Sequence, residues 1–197
     1  MSRRILAGMV AVVLSILSPC LLRAGELPTA RLDAANAAVD YRDGVYYGTL
    51  NLAVAVPPPI ALEVLTDFEH MAEFVPNLSV SKVLAHEGRI FRIFQQGRAN
   101  FGPLSFDFES ERQIEVFPDG RLLSRGISGT SRYLRSELAI ASLNDGIRLD
   151  YRIEMVPDRW LPPGIAIYFI RHELAEQFMA LGREMERRQK LRATAKG

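Results

Sequence analysis

The side chains with the widest chemical range in this chain are three histidines, His70, His86 and His172. A histidine can exchange a proton near neutral pH or hold a metal through a ring nitrogen. A helical metal site commonly sets two histidines four residues apart. No two of these three have that spacing, so the sequence offers no histidine-paired metal site and requires no cofactor. His172 can be read as a base near Tyr151 or Tyr168, or as a rim histidine facing solvent, and the second reading is the simpler one. Nucleophilic catalysis has no support, because no serine stands in a Gly-x-Ser-x-Gly turn. Gly126-Ile127-Ser128-Gly129 reads instead as a bulge or tight turn at a strand end. Phosphate-cradling loops and dinucleotide fingerprints are also missing. The residues therefore indicate no catalytic set.

The element that organises the rest is the stretch Leu161 to Lys190. It opens on Pro162-Pro163, which suits a first helical turn where the missing N–H is not needed. Ile167, Ile170, Leu174, Phe178, Leu181 and Met185 then recur at helical spacing and form one apolar stripe. Glu173, Glu176, Arg183, Glu184 and Arg187 fall on the opposite face, which is expected to be solvated. The charge run Arg183 to Lys190 reads as a solvated helix end, with contact to anionic lipid heads as the lesser reading.

The partner surface for that stripe is a run of strands. Val45 to Val56 alternates, with Leu50, Leu52, Val54 and Val56 on one face. Pro57-Pro58-Pro59 ends it and opens a short helix, Ile60 to Thr66. Asp67 to Val75 gives a second short helical piece. Strands follow over Leu78–Ala85, Ile90–Arg98, Leu104–Phe117, Arg121–Ser128, Tyr133–Leu143 and Ile147–Val156. Glu87-Gly88, Gly102-Pro103, Pro118-Asp119-Gly120 and Asn144-Asp145-Gly146 mark the turns between them. Strands in series followed by one long helix predict an α+β fold, with an antiparallel sheet of six to seven strands wrapped around the helix.

Met1 to Ala24 has the form of a secretory signal: Arg3 and Arg4, an apolar run from Ile5 to Leu17, and Ala24 at the cleavage point. An uncleaved anchor is the competing reading, since Ile5 to Leu22 is mostly apolar, and Leu17-Ser18-Pro19-Cys20 has the shape of a lipidation box with proline at a small-residue position. Cys20 is the only cysteine, so a mature chain starting at Gly25 has no disulfide and no thiolate site. Residues 25–44 are expected to be an N-terminal arm, with a short helix over Leu32 to Val39. Residues 45–190 form the domain and 191–197 a flexible tail. The formal charge is +1 and falls to −2 without Arg3, Arg4 and Arg23, so nucleic acid is not a partner this chemistry favours.

The element order resembles the START-related superfamily of helix-grip folds, also called SRPBCC or birch-pollen-allergen-like. The segment Val54 to Ser81, VAVPPPIALEVLTDFEHMAEFVPNLSVS, is similar to the opening of its coenzyme Q-binding and polyketide cyclase/lipid-transport branch. Trp160, Pro162-Pro163 and the long helix resemble its end, so the likeness runs over roughly residues 45 to 188. The resemblance implies an apolar cavity between sheet and helix, closed by the two short helices. Phe68, Phe91, Phe106, Phe108, Leu138, Tyr151, Ile153, Trp160, Ile170, Leu174 and Phe178 are its expected lining. Tyr151, Ser136 and Arg98 are candidates for orienting a ligand. The function implied is binding or carriage of a hydrophobic small molecule, a lipid or quinone-like compound, in an exported, periplasmic protein that touches membranes transiently. A cyclase or hydrolase on an aromatic or polyketide-like substrate, and an envelope adaptor for a protein partner, are the alternatives.

Overall fold

Alternation in Val45–Val54 produces a strand whose Leu50 and Leu52 are almost wholly buried while Thr49 and Asn51 face solvent. That strand lies near one edge of the sheet that builds the fold. The computed structural model describes residues 37–195 apart from 103 and 161. In chain order its elements are β1 (Ala37–Arg42), β2 (Val45–Val54), α1 (Pro58–Thr66), α2 (Met71–Phe74), β3 (Leu78–Glu87), β4 (Ile90–Phe101), β5 (Leu104–Val116), β6 (Leu122–Gly129), β7 (Ser131–Leu143), β8 (Gly146–Pro157) and α3 (Pro163–Thr194). All eight strands form one antiparallel sheet in the order β1-β2-β8-β7-β6-β5-β4-β3. The arrangement is the α+β helix-grip fold. The proposed signal, the lipidation box and most of the arm lie outside the described residues.

Two boundaries and one helix face depart from expectation. The sheet has eight strands because Ala37–Arg42, expected within the arm and in part as helix, pairs with β2. Its turn is Asp43-Gly44, with φ of +52° and +84°, the two left-handed residues of a tight hairpin. The long helix runs to Thr194, not Lys190, so most of the expected tail is helical. Two acids expected on its solvated face, Glu173 and Glu184, are buried at 8% and 5% exposure. The helix is gripped on more than one side: its stripe lies against β1 and β2, while α1 and α2 cover flanks that carry acids. Among the described residues no helix is long and apolar enough to cross a membrane.

The core gathers where these layers meet. Leu50, Leu52, Val64, Ile147, Leu149 and Met185 are at most 1% exposed. Pro57 and Pro58 start α1 as the sequence implies, and the Ile60 N–H reaches back to the Pro57 carbonyl at 3.1 Å. At the far edge, Gly97 of β4 touches the connector between α2 and β3. A Cβ there would lie 1.8 Å from the Asn77 carbonyl oxygen, which also accepts the Arg98 N–H at 3.0 Å. Gly97→Ala therefore has to push backbone off backbone. The expected cost is about 3 kcal/mol in urea denaturation, the upper end for overpacking. A loss below about 1 kcal/mol would mean that the connector yields freely.

Candidate functional site

A polar belt crosses the otherwise apolar concave face of the sheet. Ser81 (β3), Gln95 (β4), Arg112 (β5), Ser124 (β6), Ser136 (β7) and Tyr151 (β8) occupy inward positions on six strands. The belt starts under the short helices, where the Ser81 hydroxyl donates to the Phe68 carbonyl. Gln95 Nε2 donates to Ser81 Oγ at 3.1 Å and points at Met71 Sδ at 3.4 Å. Arg112 Nη2 donates to Gln95 Oε1. On the other side Ser136 and Tyr151 lie on the same face of adjacent strands, and the Ser136 hydroxyl acts on the Tyr151 phenol. The Ser124 hydroxyl and Arg112 Nε are buried, with no hydrogen-bond partner among the described residues.

Arg112 is the unusual member. Among the described residues no carboxylate forms an ion pair with it. Burial pulls its guanidinium below the ordinary value, against the opposing effect of Tyr151. Burial likewise raises the Tyr151 phenol, and the Ser136 hydrogen bond and the Arg112 charge offset this only in part. Both side chains are surrounded by protein, yet both keep part of their surface accessible. A cation without a counter-ion and an N–H without an acceptor both favour a guest that supplies an oxygen acceptor.

The expected lining divides into three groups. Phe68, Leu138, Ile153, Ile170, Leu174 and Phe178 are buried; Phe91, Phe106, Phe108 and Tyr151 are partly accessible. Several meet: Tyr151 and Phe178 ring centres lie 4.8 Å apart, Phe68 and Phe91 5.2 Å. Ile153 and Leu174 close together over Gly48, and Phe106 packs edge-on to Phe169 at 5.0 Å. Trp160 does not join them. It is 77% exposed in the loop before α3, which leaves the sheet beyond the last backbone bond, Asp158 N–H to Thr130 carbonyl. Arg98 is likewise no ligand anchor: it faces outward and pairs with Asp107 at 2.6 Å. His172 is exposed, with its Nε2 3.9 Å from Glu176 Oε2. Arg112, Gln95, Ser81 and Ser124 were not among the expected residues. Their signal was strand parity, since Arg112 shares its face with Phe106 and Phe108.

Two openings lie beside the short helices. One, of about 340 Å³, is lined by Phe68, Phe91, Val83 and His86, with the His86 and Phe91 rings stacked at 3.9 Å. The other, of about 350 Å³, lies over a charge cluster that joins the short helices to α3. Arg188 there donates to Glu184 at 2.7 Å, Asp67 at 2.6 Å and Glu63 at 3.2 Å. Arg187 also donates to Glu184 at 2.7 Å.

The same architecture occurs in solved structures at low sequence identity. A START superfamily protein from Mycobacterium smegmatis is 14% identical, with a TM-score of 0.62 over 73% of this chain and 97% of that one. The Zhui aromatase/cyclase from Streptomyces sp. R1128 is 15% identical, with a TM-score of 0.60 over 73% and 95%. The STAR-related lipid transfer protein from Xanthomonas axonopodis is 14% identical, with a TM-score of 0.60 over 80% and 97%. No curated protein matches the sequence. At such identities the structures speak for the fold. The sequence itself supplies the kinship: residues 54–180 match the model of one family, and the chain belongs to that family, polyketide cyclase / dehydrase and lipid transport.

Proposed function

We propose that the chain binds a lipid-like molecule with an oxygen-bearing head, a carboxylate or a carbonyl, and carries it without turnover. The observation that carries this reading is Arg112, a deep cation that, among the described residues, has no counter-ion and one N–H lacking an acceptor. The head would rest on Arg112 and Tyr151, and the tail among Phe106, Phe108, Leu138 and Phe178. Burial of tail surface would drive binding at roughly 25 cal/mol per Å², less ordering costs. The family description and the lipid transfer protein among its structural neighbours support the class. Quinones and isoprenoid acids meet the same description. The signal-like Met1–Ala24 supports an exported, periplasmic setting, and the exposed bases Arg183 and Lys190 suit brief contact with a membrane surface.

A cyclase on an aromatic substrate is the second reading, because Arg112 and Tyr151 could together polarise a carbonyl. Such a reaction also wants a base. Among the described residues the polar groups that act on the Tyr151 phenol are Ser136 and Arg112, neither of them a base at neutral pH, which favours binding over turnover.

The test is native mass spectrometry of the protein purified from its own cell envelope, followed by organic extraction. A near-stoichiometric acidic lipid or quinone is the expected result. A bare chain that also fails to take up long-chain fatty acids or quinones in titration would sink the proposal.

A further inference from the structure

Away from the interior, α3 carries another group of chemistry-bearing side chains. His172, Glu173 and Glu176 each present a ligand atom, and these atoms lie within 4.8 Å of one another. His172 Nε2 is 3.9 Å from Glu176 Oε2. Asn77, from the connector between α2 and β3, donates through Nδ2 to Glu173 Oε2 at 2.7 Å and to Glu176 Oε2 at 2.9 Å. Two carboxylates thus converge on one neutral amide.

Glu173 is poorly served by that arrangement. It is 8% exposed, and its Oε1 is buried with no hydrogen-bond partner among the described residues. Among the described residues no basic side chain forms an ion pair with it. An ionised carboxylate in this position is costly unless a cation joins it. Burial, with help from Glu176 and against Asn77, pushes its carboxyl up to about 7. Asn77 can turn its amide over and offer Oδ1 where Nδ2 now stands. The donor set then becomes one imidazole nitrogen and three oxygens. Calcium and magnesium prefer oxygen alone, whereas zinc and its borderline neighbours accept this mixture. Tetrahedral donors around zinc stand about 3.4 Å apart, so the present spacings need to shrink by roughly 1 Å. The exposed His172 and the half-exposed Glu176 can supply that by side-chain rotation.

We propose that His172, Glu173 and Glu176, completed by Asn77, form a divalent-cation site of the zinc class that fastens α3 to the connector between α2 and β3. The connector ends the pair of short helices, and its Asn77 carbonyl is already tied to β4 through the Arg98 N–H at 3.0 Å. A bound ion would thus clamp the short helices against the long one.

The experiment is calorimetric titration of the chelator-treated full chain with zinc chloride, alongside thermal melts. One zinc per chain and a raised melting temperature are expected. His172→Ala and Glu173→Gln should each weaken binding by roughly tenfold or more, judged against the about 1.4 kcal/mol that a tenfold change represents. His70→Ala should leave it unchanged. His172 is exposed, so its variant tests the site even if Glu173→Gln fails to fold. No zinc uptake, uptake unaltered by His172→Ala, or equal binding of magnesium would each overturn the proposal.

Discussion

Arg112→Met is expected to abolish the preference for acidic ligands while leaving the fold standing. A charged hydrogen bond to a buried head group is worth about 2 to 5 kcal/mol when one partner is cut away, so affinity for a long-chain fatty acid should fall at least roughly 30-fold. A long-chain alcohol of equal length should lose little, because its tail contacts are untouched. Stability has two opposing contributions. The substitution leaves Gln95 Oε1 without its donor, a cost of about 1 to 3 kcal/mol, but removes a deep cation that lacks a counter-ion. The net change should stay within about 2 kcal/mol by urea denaturation. Displacement of a fluorescent fatty acid checks the first part. Equal binding of acid and alcohol by both proteins would remove Arg112 from the head-group role.

Arg188→Met should cost the most stability of any single surface-reachable change. Among the described residues Arg188 alone is hydrogen-bonded to Glu63, Asp67 and Glu184 together, and its side chain is 16% exposed. Hydrogen bonds to these three acids raise its guanidinium well above the ordinary value despite burial. Removing one partner of a buried pair costs about 3 kcal/mol, which for a chain this size lowers the melting temperature by roughly 6 to 12 °C. Arg187 softens the loss by keeping a hold on Glu184. The same cluster sets an acid limit. Burial would raise the Asp67 carboxyl, but hydrogen bonds from His70 and Arg188 outweigh it and hold it below its ordinary 3.8. Arg187 and then, against burial, Arg188 hold Glu184 below 4.5. Carboxyls lowered by folding stabilise the protein above their ordinary values, and this is lost as pH falls through the lowered ones. Wild-type stability should therefore drop steeply below about pH 4, and that slope should flatten in Arg188→Met. Parallel slopes would show that the cluster does not couple the helices.

Much of this fold was legible because its signals are local. The alternation in β2 and β8, the three prolines that start α1 and the stripe of α3 each depend on a few adjacent residues. The first strand was missed although Asp43-Gly44 announced it, since its alternation is only six residues long and begins inside the alanine-rich run Ala34 to Ala38. The helix faces were misassigned at Glu173 and Glu184 for another reason. A stripe identifies one partner surface, and α3 has a second one in the short helices and their connector. The belt around Arg112 was hidden by the same habit of assigning charged residues outward. Strand parity gave its direction, but only the register across six strands brings Ser81, Gln95, Arg112 and Tyr151 into one line. Trp160 and Arg98 misled because an aromatic and a cation suggest a pocket wherever the chain places them.

The seam between β2 and β8 has a consequence for how the chain reaches this state. Every other strand pair joins neighbours in sequence, from the Arg42–Val45 hairpin to the Leu143–Gly146 hairpin. The seam instead sets Leu50 opposite Tyr151 and Leu52 opposite Leu149. Closing a loop of that length is entropically slow, so hairpins can form well before it. Until it closes, the β2 side of β8 presents an open edge with Leu149 and Ile153 beside it. The long helix comes last in the chain and packs against β1 and β2, on the far side of that seam. Its docking is thus expected to be the step that commits the sheet, and a chain released without it would be prone to pair edge to edge with others of its kind.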